Sequence, residues 1–235
     1  MNEKLQPDWD PRSEAVLDDQ IAGYDDMRRR CPVAHSEYLH WSLFRHEDVM
    51  RVLDDYRTFS NAASSHLSVP NGMDPPEHTR YRRIIEPYFN RQRMEVFEPV
   101  CRDIAVNLVK SLPTDGEIEL MAGFAQDFAL RVQSAFLGWP ADLHEPLREW
   151  IHKNQEATRA RDISAMVDVA FEFDGYIKSS LTVRRKAGID APDDITSSLL
   201  RERIGDRLLG DEEIVSILRN WTVGEIGTLS ACAGI

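Results

Sequence analysis

Two groups of residues in this chain have types and spacings suited to chemistry. The first is Pro75-Pro76-Glu77-His78-Thr79-Arg80-Tyr81-Arg82-Arg83. On a helix, His78 and Arg82 are one turn apart and share a face. One donor can ionise and the other is permanently charged, and the guanidinium can grip a carboxylate or phosphate through two hydrogen bonds. The pair therefore suits an anion. With Arg80 and Arg83 nearby, the same residues also suit a solvated basic helix face. The second group is Trp221-Thr222-Val223-Gly224-Glu225-Ile226-Gly227-Thr228-Leu229-Ser230-Ala231. Gly224, Gly227, Thr228 and Ala231 fall on one helical stripe. Glycine inside a helix costs roughly 1 kcal/mol relative to alanine, so two of them need a compensating use. A face without side chains lets a flat molecule approach the backbone, with the Thr228 hydroxyl beside it. It also suits close packing against a second helix, and both readings stand at this point.

Other candidates are weaker. His66 lies in a long polar loop and reads first as surface. His35, His40, His46, His144 and His152 show no metal-ligand spacing; His144 and His152 share a helix face but lack a third ligand. Cys31, Cys101 and Cys232 are far apart and form no CxxC pair, so no metal is expected in this chain. No glycine-rich phosphate loop follows a strand.

The 28 Lys and Arg against 40 Asp and Glu give a net charge of −12, which argues against a nucleic-acid partner. At 235 residues, 42% hydrophobic and 29% charged, the chain is long enough for a sizeable core. No apolar run approaches the roughly 18 residues of a membrane span, and the first thirty residues lack a signal-peptide core. A cytoplasmic protein without a membrane contact is the expectation, since unpaired cysteines fit a reducing compartment.

The elements that must position these residues are mostly helical. Residues 1–13 read as a loose arm and Glu14–Arg30 as an amphipathic helix. Residues 37–45 read as a strand, with Leu39, Trp41 and Leu43 alternating. A helix follows at His46–Leu53, then a long small-and-polar loop over residues 57–74. Pro75-Pro76 opens a helix to about Phe89. Further helices are expected at 94–111, from Phe124 to a stop at Gly138-Trp139-Pro140, at 142–158, 163–187 and 194–203, and from Glu212 onward with Asp211 as N-cap. Glu117–Leu120 reads as a short strand. The fold class is mainly α with a small β region near the amino terminus.

In order and in motif, these segments resemble the cytochrome P450 family. Residues 46–60 (HEDVMRVLDDYRTFS) resemble its B-helix and the Phe-Ser after it. Residues 74–89 (DPPEHTRYRRIIEPYF) resemble the C-helix signature of soluble bacterial members, and residues 211–235 the first half of the I-helix. The likeness runs from about residue 30. It implies an arm and first helix over 1–30 and an incomplete P450 domain, B to I helices, over 31–235. It implies haem b as cofactor, held at its propionates by His78 and Arg82 and faced by Gly224 and Gly227. Thr228 falls on the threonine that helps deliver protons to bound dioxygen. Residues 61–74 match the loop roofing the substrate pocket, with Leu67 and Val69 as apolar candidates and Val223 on the terminal helix. The helices at 142–158 and 163–187 match the F and G pair over the access channel.

Two departures stand out. The usual acid before the threonine is Gly227 here, while an acid appears at Glu225. The ExxR motif and the FxxGxxxCxG loop, which carries the thiolate ligand, are not in this sequence. The resemblance implies, for a complete protein, a monooxygenase that hydroxylates or demethylates a small apolar or aromatic molecule with electrons from a ferredoxin or reductase. The alternative is an inactive truncated fragment or a helical small-molecule-binding module.

Overall fold

The structure is a computed structural model, and it describes residues 6–63 and 67–234. The chain forms two compact units, Met1–Asn61 and Ala62–Ile235. The first holds α1 (Glu14–Asp18), α2 (Gln20–Arg30), β1 (Val33–Ser36), β2 (His40–Leu43) and α3 (His46–Asp54). Trp9, Met27 and Ala34 are its buried apolar residues, and the Trp9 ring meets Phe44 edge-on at 4.9 Å.

Two expectations are corrected here. The helix over 14–30 is broken at Asp19, whose carboxylate accepts from the Ala22 amide at 2.9 Å and so starts a new helix. The strand over 37–45 is the second half of an antiparallel hairpin pairing Val33 with Leu43 and Ser36 with His40. Its turn is Glu37–Leu39, and His40 leaves it with φ +58°.

The second unit holds α4 (Glu77–Ile85), running into a 3₁₀ turn (Glu86–Phe89), then α5 (Arg91–Ser111) and α6 (Gln126–Leu137). It continues with α7 (His144–Ala160), α8 (Ile163–Ala187), α9 (Ile195–Leu199), β3 (Arg203–Ile204), β4 (Arg207–Leu208) and α10 (Asp211–Gly234). The helical expectations hold for α4 to α8, as the 3.6-residue apolar period required. Glu117–Leu120 forms no strand. The Glu119 carboxylate instead accepts from the Met121 amide at 3.1 Å and from the Ala122 amide, turning the segment into a π-helical turn (Met121–Ala125) ahead of α6. The helix over 194–203 stops at Leu199, and the hairpin β3–β4 follows, turning at Gly205 with φ +61°. Asp211 is not the N-cap of α10. The Gly210 carbonyl accepts from the Glu213 and Ile214 amides, and the Glu213 carboxylate accepts from the Gly210 amide at 2.6 Å, so the helix begins one residue earlier.

The core of this unit is built around α10, which packs on α6 and α8. Ile214, Val215, Ile217, Leu218, Trp221 and Ile226 are buried along it. At the end of α6 the chain turns through Gly138, at φ +76°. There Arg184 of α8 pairs with Asp194 at 2.6 Å and donates to the Gly138 carbonyl at 2.6 Å. Asp194 also caps α9 through the Ser197 amide at 2.7 Å. The pair is 6% and 12% exposed, so breaking one partner would strand the other in the interior.

A Cβ on Gly138 would lie 2.3 Å from the Asp194 Cβ, on a backbone already in the left-handed region. Gly138→Ala is expected to destabilise the fold by about 2–4 kcal/mol. Gly175, inside α8 with nothing within 4 Å of its Cβ position, gives the opposite sign. Gly175→Ala should stabilise by up to about 1 kcal/mol. Urea unfolding midpoints of the two variants check the contrast.

Candidate functional site

Helix α4 is anchored by its inner face. Tyr81, Ile85 and Tyr88 are buried, and the Tyr81 hydroxyl donates to Glu213 on α10. Arg207 pairs with the same carboxylate at 2.6 Å. The Arg207 hydrogen bond, ahead of smaller contributions from Tyr81 and the Gly210 amide, holds the Glu213 carboxyl down at about 2; burial opposes it. Burial, then Glu213, pushes the Tyr81 hydroxyl up to about 12. This fixes α4 against the start of α10 and sends the next side chain, Arg82, outward.

Arg82 lines a groove of about 510 Å³. Phe89 stands beside it from the α4 side, Pro70 and Asn71 from the preceding loop, and Trp221 and Glu225 from α10. The Phe89 and Trp221 rings meet edge-on at 5.0 Å. Among the described residues Arg82 makes no ion pair. His78 sits half-buried one turn before Arg82 and does not line this groove. The structure thus brings Arg82, but not His78, together with α10.

On α10 most large apolar side chains are buried, while Val223, Gly224, Gly227 and Thr228 are exposed. A Cβ at either glycine would meet nothing within 4 Å. Close packing on another helix therefore does not account for these glycines among the described residues. The Thr228 hydroxyl donates to the Gly224 carbonyl at 2.7 Å.

A second groove, of about 380 Å³, lies between α7, α8 and α10, with Trp150, Phe173, Val223 and Gly224 on its walls. A third, of about 210 Å³, shares Trp150 and Val223 and adds Ile226 and Gly227. At about 100° per residue, Gly224 and Thr228 fall between Trp221 and Glu225 on one side and Val223 and Gly227 on the other. Glu225 and Gly227 thus look into different grooves, as their spacing of about 200° requires. Glu225 lines the same groove as Arg82, which the alignment of motifs alone did not bring out.

Leu67 and Val69, the apolar candidates of the loop, take different environments. Val69 is fully buried in the core and Leu67 is 43% exposed without lining these grooves. Pro70 and Asn71 line them instead. The cause is a set of hydrogen bonds from α10. The Val69 amide donates to Ser216 Oγ at 2.8 Å, and Ser216 donates to the Leu67 carbonyl at 2.9 Å. Asn220 donates to the Val69 carbonyl at 3.0 Å. Arg219 donates to the Leu67 carbonyl at 2.8 Å and, through its other terminal nitrogen, to Asp174 of α8 at 2.7 and 2.8 Å. The signal for these residues was present as three polar side chains, Ser216, Arg219 and Asn220, on a helix otherwise apolar at that depth. His66 lies outside the described residues. Cys31 and Cys101 are half-buried and Cys232 is exposed; burial pushes the Cys101 thiol up.

No protein-family model matches the chain. Over 200 residues it is 30% identical to erythromycin C-12 hydroxylase of Saccharopolyspora erythraea, covering 80% of this chain and 49% of that protein. It is 30% identical over 209 residues to the putative cytochrome P450 YjiB of Bacillus subtilis, covering 81% and 51%. The open structure of cytochrome P450 EryK from S. erythraea superposes with a TM-score of 0.77 at 26% identity, covering 97% of this chain and 58% of that one. The chain spans about half the length of the curated relatives it matches.

Ser216 ties two backbone groups of the roof loop at once. Ser216→Ala should leave helix α10 intact and speed hydrogen exchange at the Val69 amide by about tenfold or more. Amide exchange followed by NMR, with Leu218 as an internal control, reads this directly.

Proposed function

Because the chain belongs to the cytochrome P450 family, we propose that it forms the propionate-binding and oxygen-side walls of a haem monooxygenase site. Members of the family carry haem b, which supplies dioxygen activation when bound. The residues of this chain fit that group: a cation with no ion-pair partner among the described residues, two aromatic side chains in its groove, and a helix whose backbone is uncovered at Gly224 and Gly227. The single observation that carries the reading is that Arg82 shares a groove with Trp221 and Glu225, the α10 residues that border Gly224 and Thr228 on the helix.

In this reading Arg82 holds a propionate carboxylate, and His78 adds a second donor from the turn before it. Gly224 and Gly227 let the macrocycle approach the α10 backbone. Thr228 holds a proton on Oγ1. It is now spent on the Gly224 carbonyl, and a turn of χ1 frees it toward the junction of the grooves. Gly227 supplies no carboxyl for that relay, so Thr228 works with water there. Val223, Trp150 and Phe173 form the apolar floor under a substrate whose body is apolar or aromatic. The loop at Pro70 and Asn71 closes it, while Leu67 and Val69 serve as the anchored base of that loop. Arg80 and Arg83, exposed on the same helix as Arg82, suit an acidic electron donor such as a ferredoxin or a reductase domain. No described helix is long and apolar enough to cross a membrane, and the free cysteines fit a cytoplasmic setting.

A second reading is a helical small-molecule-binding module without oxygen chemistry. It is favoured by the aromatic-floored groove, which α7, α8 and α10 form within this chain.

Haem titration followed at the Soret band tests the first reading. Wild-type protein should saturate at one haem per chain, and Arg82→Leu should weaken binding by about tenfold or more. Equal affinity in the variant contradicts the role of Arg82. No haem binding by the wild type leaves the second reading in place.

A further inference from the structure

The second and third grooves share a chemical character that the apolar floor alone does not explain. Asn71 and Asn154 line the second, and Gln126, Asn154 and Gln155 line the third. The side chains of Asn71, Asn154, Gln126 and Gln155 make no hydrogen bond among the described residues. Each carboxamide can donate and accept. Among the residues lining the two grooves, Arg219 is the one charged side chain. Its charge is already met by Asp174, through bonds of 2.7 and 2.8 Å to both carboxylate oxygens, and its other terminal nitrogen is spent on the Leu67 carbonyl. The pair is 14% and 11% exposed, so a ligand would have to break a largely buried ion pair to use either charge.

We infer that this pair of grooves selects a neutral molecule with an apolar body that carries carbonyl or hydroxyl oxygens, read by the carboxamides of Asn71 and Asn154. The inference rests on the oxygenase reading of the same site and narrows its substrate. A purely hydrocarbon ligand would cover these amides and leave their capacity unmet. An anion finds the one guanidinium occupied, and a cation finds no unpaired carboxylate on these walls. Apolar contact with Trp150, Phe173 and Val223 holds the body, and the carboxamides among them fix its orientation. Asn154 stands at the overlap of the two grooves, which makes it the residue of widest effect.

Four matched probes test this on the 235-residue protein: cyclododecanone, cyclododecane, cyclododecylamine and cyclododecanecarboxylic acid. Binding is read from the side-chain amide resonances of Asn71 and Asn154 in NMR spectra, assigned with Asn71→Leu and Asn154→Leu. The expected result is that the ketone binds tightest and shifts both amide signals. Asn154→Leu should weaken the ketone about five- to tenfold and leave the hydrocarbon unchanged or tighter. Preference for the acid or the amine overturns the inference, because the Arg219–Asp174 pair would then be available. A hydrocarbon that binds as tightly as the ketone, or a ketone that leaves the amide signals in place, overturns it too, as does binding of none of the four. These outcomes need no haem. Failure here with normal haem binding condemns only the substrate class, whereas failure of the haem titration condemns the oxygenase reading.

Discussion

Helix α10 has two faces with opposite duties, and the rest of the second unit depends on that division. Ile214, Val215, Ile217, Leu218, Trp221 and Ile226 bury one side of it against α6 and α8. Burying each such side chain contributes on the order of 1.5–3 kcal/mol. That is ample to offset two glycines in the helix at roughly 1 kcal/mol each. The carboxy-terminal half can therefore leave its other side bare without unravelling. Gly224 and Thr228 occupy that side, between the groove holding Arg82 and the grooves lined by Trp150, one of which Gly227 lines.

The polar side chains of α10 extend the same logic from burial to placement. Ser216, Arg219 and Asn220 hold the backbone of Leu67 and Val69, so the chain reaches Pro70 and Asn71 at a fixed height over the helix. Glu213 does the equivalent for α4 through Tyr81, which sets where Arg82 emerges. Arg219 links the Leu67 backbone to α8 by way of Asp174, so loop and helix share one anchor. Apart from the exposed Arg219–Leu67 bond, these bonds are buried or half-buried, where the loss of one partner leaves the other unsatisfied.

Helix positions were readable in the sequence because the apolar period of α5 to α8 and α10 is set by burial on one side, and burial is what the fold satisfies. The glycine–threonine stripe was readable for the same reason, as a break in that pattern. Three kinds of feature were not. Short hairpins such as Val33–Ser36 with His40–Leu43 depend on a partner strand that local alternation does not reveal. The turn at Glu119 depends on side-chain bonds to backbone amides, which outweigh the β propensity of Ile118. The inward turn of Val69 depends on residues about 150 positions away in Ser216 and Asn220. Family likeness pointed to the loop, and only the long-range bonds decide which of its residues reach the groove. The order of motifs also matched bacterial cytochrome P450s, and the similarity to erythromycin C-12 hydroxylase and to the EryK structure supports the family assignment made from those motifs.

In the proposed function, the bare side of α10 and Arg82 together face one flat iron-bearing cofactor. Iron(III) protoporphyrin broadens the NMR signals of nuclei near it. In a titration with this haem, selective broadening is expected at Arg82, Trp221, Gly224 and Thr228, with residues of α9 such as Ser197 unaffected. Broadening spread evenly over the chain, or centred away from α4 and α10, would contradict it.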